Sequence, residues 1–143
     1  MGPFGPVVNC HCVFCRRVHG AAFTTVTLVA PERFAWLSAS EAAARYITPM
    51  GAVRHFCGRC ATPIVNFAAA LELGGLVTQS LDSTQPSPWA HVNTESKVPW
   101  LVIADGLPQF LTWPGPDELR ELLNAHPGAW VPRRLLEPTA SAT

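Results

Sequence analysis

The sequence predicts a mainly β fold of short antiparallel strands, clipped by a metal and carrying one peripheral C-terminal helix. Three observations lead there. Fourteen prolines spread over 143 residues break the chain into short pieces, which suits strands and loops better than long helices. Several of those pieces are rich in β-branched and apolar residues, while one segment alone reads clearly as a helix. All five cysteines fall into two small knuckles, Cys10/Cys12/Cys15 and Cys57/Cys60.

Residues 1–9 are rich in Gly and Pro and then briefly apolar at Val7 and Val8, so the first knuckle arrives before any complete strand is expected. After it come small residues, His19-Gly20-Ala21-Ala22, and then a β-branched run over 24–30 that Pro31 ends. A second short strand is expected over 34–37, and a helical turn or a loop over the alanine-rich 40–45. Residues 53–56 should lead into the second knuckle and 62–67 out of it, a strand–turn–strand hairpin that puts both sulfurs on one side. Further strands are expected at 76–81, after the Gly74-Gly75 pair, and at 89–93, with a turn-rich loop over 82–88 between them. Residues 98–104 form an apolar segment ended by the Asp105-Gly106 turn signal. Residues 116–125 are the helix: Pro116 suits its first turn, Asp117 and Glu118 sit near its N-terminus, and Leu119, Leu122 and Leu123 share a face. His126-Pro127-Gly128 stops it. One domain over 1–137 with a disordered tail over 138–143 completes the expectation.

Charge excludes some partners. Ten basic and ten acidic residues cancel, and charged residues make up only 14% of the chain. A nucleic-acid or anionic-membrane partner needs a basic excess, so neither is expected. No apolar run approaches the ~18 residues that span a bilayer, and the start lacks the pattern of a signal peptide. A cytoplasmic setting follows, where thiols stay reduced and clustered cysteines hold metal more often than they form disulfides.

The stretch Asn9-Cys10-His11-Cys12-Val13-Phe14-Cys15-Arg16-Arg17 carries the chemistry. A C-x-C-x-x-C run lets one turn aim three sulfurs at one point, and thiolates select zinc or iron–sulfur chemistry over hard cations. Spacing leaves two arrangements open. Cys12, Cys15, Cys57 and Cys60 can share one zinc in a closed structural ribbon, with Cys10 left over. Alternatively Cys10, Cys12 and Cys15 bind zinc by themselves and leave its fourth position available to a substrate.

Residues 9–23, reading Asn-Cys-His-Cys-x-x-Cys-Arg-Arg-x-x-Gly-Ala-Ala-Phe, resemble the glutathione-dependent formaldehyde-activating enzyme family, also called the centromere protein V-like family. The likeness continues through Arg54-His55-Phe56-Cys57-Gly58-Arg59-Cys60, Leu81-Asp82, Trp89-Ala90-His91-Val92, Ser96-Lys97-Val98-Pro99-Trp100 and Asp105-Gly106-Leu107-Pro108. The resemblance implies a β-tent fold and two zinc sites: a catalytic one at Cys10, Cys12 and Cys15, and a structural one that includes Cys57 and Cys60. It also implies a carbon–sulfur lyase acting on a thiol adduct such as S-hydroxymethylglutathione. The family's Gly-x-Cys-x-Cys-Gly strand, which completes its structural site, has no counterpart here. A start placed too late, a shortened member and a regrouping of cysteines around one metal all remain open. The family's common glycine after the second knuckle is Ala61, read as a minor change.

Three thiolates on a divalent zinc leave a net negative charge, which blunts its activation of water but suits it to holding a fourth thiolate. Arg16 and His91 are the candidate catalytic residues. Arg16, beside Arg17, could grip a substrate carboxylate, or be a surface group or a donor to the thiolates. His91 could act as an acid–base group, against the plainer reading of a solvent-facing strand histidine. His11 is read as a surface group or a support to the metal site rather than a ligand, and His55 as a substitute ligand at the second knuckle. His19 is a spare imidazole near the first. Lys97 and Trp100 could line the pocket, whereas Trp36, Trp113 and Trp130 are read as packing. The competing class is a non-catalytic zinc-stapled protein-binding module with a single four-cysteine site. The partner expected is a glutathione-like thiol, and homo-oligomerisation is left open.

Overall fold

The computed structural model describes residues 5–37, 43–82 and 86–138. Its axis is a strand that sequence reasoning did not foresee. Val7–Cys10 (β1) has all four residues buried, because it is paired on both sides. Thr24–Val29 (β2) runs antiparallel to it with Val8 opposite Val26, and Ala90–Val92 (β7) runs parallel to it with Asn9 opposite His91. Two valines do not announce a strand locally. Long-range pairing makes this one.

The remaining strands are Ala43–Ile47 (β3), Val53–Cys57 (β4), Pro63–Ala68 (β5) and Leu73–Val77 (β6). Together they form a seven-stranded sheet in the order β3-β4-β5-β6-β2-β1-β7. The fold is mainly β, as expected, and every pairing except β1 with β7 is antiparallel.

Several expectations need correction. Residues 34–37 form no strand: Pro31–Arg33 make a 3-10 turn, and the rings that follow pack instead of the backbone pairing. Phe34 meets Phe67 edge-on at 5.4 Å, and Trp36 meets His55 at 5.7 Å. Residues 40–42 lie outside the described residues, and 43–45 belong to β3, where pairing with β4 overrides alanine's helical preference. The strand expected over 76–81, after Gly74 and Gly75, instead spans Leu73–Val77, with both glycines inside β6. A Cβ at Gly74 would come within 2.8 Å of Phe67 and Val29 side-chain atoms, and one at Gly75 within 2.9 Å of Val26. These glycines let β5 and β2 close over β6. After Val77 the chain turns into a 3-10 segment, Thr78–Ser80.

Pro116–Ala125 (α2) forms with the bounds read from the sequence. Glu118 accepts the Gly115 N–H at 2.8 Å, and Leu119 and Leu122 are buried. A second helix, Val13–His19 (α1), was missed. It ends at Gly20, whose φ of 58° is the left-handed conformation that closes helices. The expected tail lies outside the described residues from 139 onward, as do 83–85 of the expected 82–88 loop. Among the described residues, no helix is long and apolar enough to cross a membrane.

Candidate metal centre and the adjoining cleft

The first knuckle sits where β1 hands over to α1. Cys10 is the last residue of the strand, held in a buried cluster with Val8 and Val92. Cys12 caps the helix, its Sγ accepting the Cys15 N–H at 3.3 Å. Cys15 lies in the helix's first turn. Strand end, cap and first turn thus bring three sulfurs within 4.8 Å of one another. From the opposite side Asn93 Nδ2 donates to Cys10 Sγ at 3.4 Å.

Cys10 is buried while Cys12 and Cys15 are half-buried. Hydrogen bonds from the Cys10 and Cys15 thiols pull Cys12 down. The bond to Cys12, with burial, pushes Cys10 up against an opposing bond to Cys15, and bonds to both partners, with burial, push Cys15 up. One thiolate is therefore easy to form here and the next two are hard, unless a cation sits among them. Zinc–sulfur bonds of about 2.3 Å in a tetrahedron place sulfurs about 3.8 Å apart, which the observed spacing accommodates. The donor set fits a soft divalent metal.

Cys57 and Cys60 stay apart from this group. Three strands lie between β4 and β1 in the sheet order, and no other group of three His, Cys, Asp or Glu ligand atoms forms among the described residues. Cys57 ends β4, and Cys60 is exposed in the turn that follows. The Thr62 hydroxyl, 3.0 Å from Cys60 Sγ, draws that thiol below its ordinary range. His55 packs against the rings of Trp36 and Phe67 rather than offering a nitrogen to the knuckle. The four-cysteine ribbon does not form in this structure. Nor is Ala61 a minor change, because its φ is +60°.

His11 is fully buried and is no surface group; burial above all, then the neighbouring His91 imidazole, holds it down to about 4. His91 is only 2% exposed, so it is no solvent-facing histidine either. Both its ring nitrogens are engaged: Nδ1 lies 2.8 Å from His11 Nε2, and Nε2 lies 2.8 Å from Asp105 Oδ2. Asp105, which the sequence offers as a turn signal and as part of the family likeness, is given no role at the site by sequence reasoning. His19 at the end of α1 is half-buried, its pKa lowered by burial and then by Arg54.

Arg16 and Arg17 line a cleft of about 380 Å³ with Gly20, Ala21, Ala22, Val98 and Trp100. Arg16 Nε is buried and has no hydrogen-bond partner. Trp100 is 73% exposed and so is cleft wall rather than core. Lys97 does not line the cleft. Its ammonium donates to the carbonyls of Val98 and Leu101 and so braces the loop that carries Trp100. Trp113 does pack, against the cluster of Val8, Cys10 and Val92.

A sequence model of the glutathione-dependent formaldehyde-activating enzyme family matches residues 3–96, about two thirds of the chain, and takes in both knuckles and His91. The chain belongs to that family. A comparison with curated proteins finds no match. Family membership connects the chain with glutathione and formaldehyde chemistry.

Proposed function

We propose that this chain is a zinc-dependent carbon–sulfur lyase that makes or cleaves a thiol adduct such as S-hydroxymethylglutathione, in a reducing cytoplasmic setting. The observation that carries the reading is the cluster of Cys10, Cys12 and Cys15, whose sulfurs lie within 4.8 Å of one another directly before the arginines of the cleft. When bound there, zinc would offer a fourth position suited to a substrate thiolate.

In the synthetic direction a thiolate sulfur attacks the carbon of formaldehyde. The carbon–sulfur bond forms, the carbonyl π electrons move to oxygen, and that oxygen takes a proton. Cleavage reverses each change: the hydroxyl gives up its proton and the thiolate leaves. Arg16 supplies a guanidinium fork shaped for a carboxylate of the thiol substrate, with one donor already desolvated and unpaired. Trp100 and the small residues Gly20, Ala21 and Ala22 form walls for the rest of that substrate. His91 has no nitrogen left over for a substrate, so its part is to support the cluster from behind.

The test is turnover by zinc-loaded protein, following S-hydroxymethylglutathione from formaldehyde and glutathione by NMR. Arg16→Gln should lower kcat/KM by about 10–100-fold, the loss of one charge-assisted contact, mostly through KM. No acceleration over the uncatalysed reaction by protein that holds one zinc would sink the lyase reading. A non-catalytic binding module, held by the three-cysteine cluster rather than by a four-cysteine ribbon, would then be the better account, with the exposed side chains of Trp100, Val102 and Leu111 as its surface.

A further inference from the structure

Behind the thiol cluster runs a chain of three side chains, Asp105, His91 and His11, whose hydrogen bonds have a fixed direction. An ionised carboxylate only accepts, and a neutral imidazole carries one N–H and one lone pair. Asp105 Oδ1 accepts the Leu107 N–H at 3.1 Å, which leaves Oδ2 to face His91. His91 must therefore donate from Nε2 and present a lone pair at Nδ1. His11 must then donate from Nε2 across the 2.8 Å contact. That fixes His11 as the Nε2–H tautomer with a bare, buried Nδ1.

His11 stands between two of the three clustered cysteines, yet its own nitrogens are not among the converging ligand atoms. Its backbone is tied as well, the His11 N–H donating to Val92 O at 3.0 Å. β7 and the residue after it thus hold this turn at three points: the His91 ring, the Val92 carbonyl and the Asn93 amide on Cys10.

We infer that Asp105, acting through His91, sets the tautomer and ring orientation of His11 and so holds the Cys10–Cys12 turn in the geometry that gathers the three sulfurs. Asp105 is a positioning residue, remote from the cluster and reaching it only through two rings. The inference deepens the proposed function and rests on its metal reading in one arm of the test alone.

The decisive substitution is Asp105→Asn. The asparagine oxygen keeps the Leu107 N–H, so its NH₂ is turned toward His91 Nε2. A donor there demands a lone pair, which moves the His91 proton to Nδ1. His11 Nε2 must then accept, and the His11 proton moves to Nδ1. The Asp105 side chain is 47% exposed, so the exchange disturbs no core. Long-range ¹H–¹⁵N spectra of the imidazoles at neutral pH read the tautomers directly. The unsubstituted protein should show Nε2–H on both rings, and the variant Nδ1–H on both.

In the second arm cobalt(II) serves as the probe metal at the cluster. The variant should bind it about 10–100-fold more weakly, with an altered ligand-field spectrum. Three results overturn the inference: a doubly protonated or Nδ1–H His91 in the unsubstituted protein, unreversed tautomers in the variant, or reversed tautomers with unchanged cobalt affinity and spectrum. Failure of the unsubstituted protein to bind cobalt would instead sink the metal reading. The imidazole spectra would then decide whether Asp105 sets the tautomers, and a shift of the Cys10, His11 and Cys12 backbone amides in the variant, or its absence, whether Asp105 holds the turn.

Discussion

The two knuckles share a Cys-x-x-Cys spacing and live in opposite surroundings. Cys12 and Cys15 form a helix cap and first turn at the end of a wholly buried strand, with a third sulfur from that strand beside them. Cys57 and Cys60 form the exposed turn of a hairpin, with a threonine hydroxyl as the neighbour of Cys60. Spacing says that sulfurs can converge. What decides whether a ligand set is assembled is which other elements the fold brings to the same point.

The strongest way to break this comparison is to remove sulfurs from each side. Cys12→Ser should abolish metal uptake at the first knuckle, because a two-thiol remnant no longer holds a soft cation tightly. Cys57→Ser/Cys60→Ser should leave about one zinc per chain there. Metal content after purification and after challenge with a chelator measures both. Retention of zinc by the first variant, or its loss from a folded form of the second, would mean that the knuckles share a metal after all.

A smaller effect tests the burial contrast in metal-free protein. Val8 is 2% exposed and packs against Cys10 in the central strand. Val8→Ala removes two methyl groups from a site that cannot collapse freely, and should cost roughly 2 kcal/mol. Cys60→Ser alters an exposed position and should stay within about 0.5 kcal/mol. Denaturant melts compare the two directly, and equal costs would deny the contrast.

Much of this was legible in the sequence, for reasons that differ by element. α2 announced itself because Pro116, two acids and a leucine face are local signals that agree. α1 was hidden because its seven residues carry only two aliphatic side chains, and its cap is a cysteine read as a ligand. The Gly20 that ends it was a usable signal. β1 could not be read locally, since four residues become a strand only through partners at 24–27 and 90–92. The same parallel pairing accounts for the missed support of the site. His11 and His91 are 80 positions apart, and nothing in an Asp-Gly turn says that its carboxylate meets a histidine 14 residues away. The ligands were legible because metal chemistry imposes a spacing. Their supports answer only to the fold.

An effect smaller than that of Val8→Ala, and opposite in sign, lies at Ala61, where the exposed knuckle carries a cost that the buried one avoids. Its φ of +60° lets the Ala61 N–H reach Cys57 O at 2.8 Å and close the turn around Cys60. A left-handed backbone presses Cβ toward the following carbonyl, at about 1–2 kcal/mol for alanine. Gly20 closes the first knuckle's helix in the same region of backbone space, with no Cβ to press. Ala61→Gly should relieve the strain in the native state. It also loosens the unfolded chain, which takes back about 0.4–1 kcal/mol. Strain relief is the larger of the two, so the net is a stabilisation of about 0.5–1 kcal/mol, visible as a higher denaturant midpoint with an unchanged slope. The mirror substitution, Gly20→Ala, should destabilise for the same reason read backwards. If Ala61→Gly destabilises instead, unfolded-state entropy dominates at this turn, and the two knuckles differ in burial alone.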